Sequence, residues 1–177
     1  FCHEIKPIIK IFKDRTKFRI MALVKATMFG ELLGVFSVHQ ADPLTPGKKI
    51  AKAFKNYLLM GQNAGGFTTS NVVDIPTGMT IGQVFLSQLP SGAAIGSQIA
   101  TALTSMAATY MSMNQIGPPA VTPSHTGPLI KLFSSPQASG MSFSKELAGI
   151  LDDWTKTWVV SGLIPGSPPI PFSGPLS

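Results

Sequence analysis

The chain has 177 residues, enough for one domain with a modest core and too few for two ordinary ones. Charged residues make up 12% of it, about half the usual share, which excludes disorder driven by charge, while 17 Gly and 15 Pro interrupt an otherwise apolar chain. The net charge of +6 is uneven: eleven of the fourteen Lys and Arg lie between Lys6 and Lys55, and residues 75–130 carry no charge at all. A basic front of this kind can meet nucleic acid, an anionic membrane or an acidic partner, and charge alone does not choose among them. The single cysteine, Cys2, excludes an intrachain disulfide and suits a protein made in a reducing cytoplasm.

Residues 1–20 form a basic, β-branched and aromatic segment that reads as an arm, after which Met21 opens a stretch with the look of an ordinary amino terminus. No apolar core of adequate length follows the basic residues, so a secretory signal is not expected. A first helix is predicted over 22–38, with Leu23, Ala26, Phe29, Leu32 or Leu33, and Phe36 at three-to-four spacing. A second is predicted over 46–60, with Thr45 as N-cap, Pro46 at the first helical position, and Ile50, Phe54, Tyr57 and Leu58 on one face. Opposite them Lys48, Lys52 and Lys55 form a basic patch, expected to be a solvated face and available to an acidic partner or to phosphate.

From Gly61 to Pro90 the Gly-Gly, Asn and Pro punctuation reads as a long ordered loop, with a short helix in "TIGQVFLSQL". A third helix is predicted over 94–114, where Ile95, Ile99, Leu103, Met106, Tyr110 and Met113 repeat at helical spacing. Hydroxyls and amides ring its other half and no Trp or Lys/Arg anchors flank it, which argues against a membrane span and for packing by protein on both sides. A fourth helix is predicted over 142–161, capped by Ser142 and stopped by Gly162, with Trp154 and Trp158 four residues apart. Such a pair is more often core than binding site; exposed, it would anchor an interface.

Two similar codas follow the last two of these helices, "GPPAVTPSHTGPL" at 117–129 and "GSPPIPFSGPL" at 166–176. Both suggest extended arms without internal hydrogen bonds, which become ordered by lying on another surface. Ile164, Ile170, Phe172 and Leu176 would then fit pockets on an adjoining subunit.

Chemistry is sparse. His3, His39 and His125 are far apart and no Cys pair or HExxH spacing accompanies them, so neither a metal site nor a cofactor is expected. "PGKK" at 46–49 lacks the earlier Gly and the following Ser/Thr of a phosphate loop, and GxSxG and GxGxxG are absent. No catalytic residues are therefore assigned.

The Ala/Thr/Ser-rich uncharged helix "ATALTSMAATYMSM", the Trp-bearing late helix and the Gly/Pro tail "IPFSGPLS" resemble the small structural proteins of tailed-bacteriophage virions. The resemblance covers Met21 to Ser177 in character and carries over no functional residues. It implies a helical protein present in many copies in a tail, baseplate or neck, made in the host cytoplasm and bound to copies of itself and other structural proteins. The expected fold is all-α, a small helical bundle with long Gly/Pro-rich loops, comprising a basic arm at 1–20, a helical domain at 21–162 and a Pro-rich arm at 163–177. The expected function is a non-enzymatic structural subunit, its interface candidates Trp154, Trp158, Ile170, Phe172 and Leu176. The alternatives are a small membrane-associated helical protein and a basic nucleic-acid-associated one.

Overall fold

The computed structural model describes residues 23–38, 40–42, 44–87 and 91–177, so the basic arm at 1–20, His3 and His39 lie outside the described residues. Its elements run α1 (Lys25–Phe36), α2 (Leu44–Leu59), β1 (Thr69–Asn71), α3 (Ile75–Leu86), α4 (Gly92–Ala107), β2 (Met111–Ser112), α5 (Thr126–Ser134), α6 (Gly140–Thr155), β3 (Val159–Ile164) and β4 (Ile170–Pro175). Helix dominates, as expected, but two small antiparallel sheets, β1–β2 and β3–β4, correct the purely all-α reading.

The helix starts follow side-chain chemistry that the sequence showed only in part. At the start of α2 the Asp42 carboxylate accepts from the Leu44 N–H (3.0 Å) and the Thr45 hydroxyl (2.9 Å), so Asp42 takes the capping role expected of Thr45. These bonds hold the Asp42 carboxyl below its ordinary pKa. α3 begins well before the expected short helix because Pro76 occupies its first turn, where no N–H is needed. Ser91 caps α4 through the Ala94 N–H (3.2 Å). At α6 Ser139, not Ser142, is the cap; the two form a reciprocal capping box.

α4 and α6 both end earlier than expected, at Ala107 and Thr155. Beyond Ala107, Ser112 pairs with Thr69 across the β1–β2 ladder and the buried Tyr110 hydroxyl lies 3.0 Å from Thr69 Oγ1. Beyond Thr155 the chain turns at Trp158 into β3, and Gly162, expected as a helix stop, is a strand residue opposite Phe172. α5 begins inside the coda at 117–129 that was expected to be an extended arm: Pro128 sits in its first turn, and Leu129 and Leu132 are buried behind it.

Each helix packs on the next in sequence and α6 packs back on α1, which closes the six into a circuit. Aromatic side chains fill its middle. Phe54 of α2 stacks with Trp154 of α6 (5.9 Å between centroids), and Trp158 meets Phe54, Trp154 and Tyr110 edge-on. Glycines set the closest crossings. A Cβ on Gly47 of α2 would strike the backbone at Gly78 and Gly82 of α3, and one on Gly96 of α4 would lie 2.7 Å from the Ile130 Cα of α5.

The strands gather at the end of the molecule where α2 finishes. Both codas lie against β3: Ala120 bridges to Val159 on one edge, and β4 pairs along the other. Ile116 N–H donates to Ser161 C=O (2.9 Å) and Leu163 N–H to Asn114 C=O (3.0 Å), so residues 160, 162 and 164 face β4. Positions 171, 173 and 175 of β4 therefore face away, and Pro171 and Pro175 leave that edge the Ser173 N–H alone. Past β4, Ser177 and Gln62 exchange two backbone hydrogen bonds, 2.8 and 3.0 Å.

Candidate interaction surfaces

The structure disperses the residues that the sequence offered as interface candidates. Trp154 and Trp158 are buried in the chain's own core, where their area stabilises the fold and is not open to a partner. Leu176 is 3% exposed and also belongs to that core, and Phe172 is half-buried against Phe67 (6.0 Å) above Gly65 and Gly162. The C-terminal arm is thus docked on its own chain: its prolines fit an edge strand, and β3 supplies the surface it was expected to find on another subunit. Ile170 alone of the five is open, at 60% exposure.

The basic patch divides. Lys55 is half-buried and pairs with Asp74 at 2.9 Å, which ties α2 to the start of α3. Lys48 and Lys52 are exposed and make no ion pair among the described residues. With Gly78 as floor, they flank a groove between α2 and α3 whose other rim is Ile75 and Met79. Ile75 is 70% exposed and Met79 47%, an apolar ridge beside the two lysines, with Asp74, the partner of Lys55, also lining the groove. The sequence reading missed this ridge because it started the helix too late, although Ile75 and Met79 stand one turn apart.

On α6, Glu146, Ile150 and Asp153 share an outward stripe. Glu146 and Asp153 are exposed and make no ion pair among the described residues. Ile150 and Asp153 line a shallow groove against Pro128 of α5, with Trp154 and His125 at its base. This acidic stripe was also missed; its i, i+7 spacing was its only signal.

The polar groups inside the fold do structural work. Asp152 is buried, accepts from the Tyr57 hydroxyl at 2.6 Å, and meets Lys156 at 2.7 Å and Lys25 at 3.9 Å from the surface side. Burial, then the bond to Asp152, drives the Tyr57 pKa far up, so its proton stays on oxygen. Asn63 is a second knot: its amide donates to Ser112 Oγ (2.9 Å) and Met113 C=O (3.2 Å) and accepts from the Gly65 and Phe67 N–H groups. Neither group faces a cleft with a nucleophile. Among the described residues no set of three His, Cys, Asp or Glu could hold a metal ion, and no helix is long and apolar enough to cross a membrane.

Uncharged surface is extensive. Leu86, Met111, Met113 and Ile116, all from the charge-free run, are exposed, together with Val159 and Leu163 on the outer face of β3. Comparison with family models, with curated proteins and with solved structures found no match.

Proposed function

We propose that the chain is a non-enzymatic structural subunit of a large protein assembly, of the kind that builds the tail, baseplate or neck of a bacteriophage virion. Its contacts would be with copies of itself and with other structural proteins. The observation that carries this reading is the exposure of Ile75, Met79, Leu86, Met113 and Ile116 within a run of sequence, 75–130, that has no charged residue of its own. Exposed apolar surface of this kind marks interaction sites, and interface cores are depleted in charge. The virion setting rests on the sequence character alone.

Sedimentation of extracts from cells producing the chain tests the reading. It should travel with a large particle in fixed ratio to that particle's other proteins and leave only under denaturant. Recovery as a free monomer, flotation with liposomes, or retention on DNA that is lost with salt would each overturn it.

A further inference from the structure

We propose that the basic face of α2 and α3 in one copy docks on the acidic stripe of α6 in the next, so that the chain associates head to tail with itself. This deepens the assembly reading and rests on it.

The argument starts from placement. In the circuit of six helices the α2/α3 groove and the α5/α6 groove stand on opposite sides, separated by α1 one way round and by α4 the other. Two different surfaces on opposite sides make a heterologous contact, which repeats into a ring or a filament and leaves one free face at each open end unless it closes.

Chemistry then matches the faces. Lys48 and Lys52, one turn apart on α2, make no ion pair among the described residues, Lys48 lying near the exposed Asp42 without closing one, and Glu146 and Asp153, two turns apart on α6, make none either. Their spacings along the helices are about 6 and 10 Å, a difference that flexible lysine stems cover. Beside the lysines stands the ridge of Ile75 and Met79, and beside the carboxylates the shallow groove of Ile150 and Pro128. Groove-to-groove pairing of two copies would set lysines against lysines, so charge selects the head-to-tail arrangement.

Sedimentation velocity of the full chain tests this, with Lys48→Glu/Lys52→Glu as one variant and Glu146→Lys/Asp153→Lys as the other. All four residues are exposed, so both variants should keep the wild-type circular dichroism and melting curve. The wild type should self-associate, and about tenfold more weakly at about 0.5 M than at about 0.05 M salt. Each variant alone should be monomeric, and an equimolar mixture should associate again, because each reversed face then meets its complement. Association of either variant at wild-type strength, or a mixture that stays monomeric, overturns the proposal. So does a wild type that is monomeric at both salts, and if it still enters a large particle the assembly reading survives. Self-association as described in a chain that joins no larger particle upholds the docking and sinks the assembly reading.

Discussion

His125 stacks on Trp154 with ring centroids 3.6 Å apart, and its Nδ1 is buried without a hydrogen-bond partner. Its Nε2 lies 3.0 Å from the Ala100 carbonyl, which can only accept, so Nε2 carries the proton and Nδ1 is bare. Protonating Nδ1 would bury an N–H with no acceptor, and burial pulls the His125 pKa below its ordinary value of 6.5. The unfolded chain then binds more protons than the folded one as pH falls below about 7, so stability is complete above the ordinary value and declines beneath it. The melting temperature should drop between pH 7 and pH 5, and less steeply in His125→Phe, which keeps the stack. Parallel curves for the two proteins would show that His125 takes no part.

Tyr57→Phe removes a donor from a buried carboxylate and leaves Asp152 to the lysines on its solvent side. A hydrogen bond to a charged acceptor contributes about 1.5–3 kcal/mol, and urea unfolding should show a loss of that size with an unchanged slope. A midpoint equal to the wild type's would mean that water replaces the hydroxyl at no cost.

Gly96→Ala and Gly34→Ala should move stability in opposite directions. The new methyl on Gly96 meets the Ile130 and Leu129 backbone at 2.7 Å and forces α4 from α5, at a cost of about 1–3 kcal/mol. Gly34 lies in α1 with nothing within 4 Å of an added Cβ, so alanine should stabilise by about 0.5–1 kcal/mol through helix propensity. Thermal melts of the two variants decide it; equal shifts would contradict the crossing geometry.

The C-terminal strand makes two predictions. Deleting residues 164–177 strips β3 of β4, its partner on one edge, and uncovers the contacts of Leu176 and Phe172, so the truncated monomer should melt earlier, at a cost of at least about 2 kcal/mol. A truncated chain of full stability would return the tail to the role of a free arm. Pro171→Thr/Pro175→Thr restores two outward donors to an open edge, and light scattering should report slow aggregation that the wild type lacks.

What the sequence determined by itself is the apolar periodicity of its long helices. Ile50, Phe54, Tyr57 and Leu58 are all buried on one face of α2, as their spacing requires, because burying an apolar stripe needs only that some core exist. The lysine row was equally plain as a row. Its division was not, since Lys55 finds Asp74 only once α3 packs on α2. Tertiary structure also decided where α4 and α6 stop: Tyr110 and Trp158 continue a helical pattern, yet the shared aromatic core and the strand ladders hold them elsewhere. The tail shows the same limit. Its prolines excluded a helix and a central strand, and both exclusions hold, but whether an edge strand lies on its own chain or on a neighbour depends on which surface is at hand. β3, only a few residues upstream, is always there.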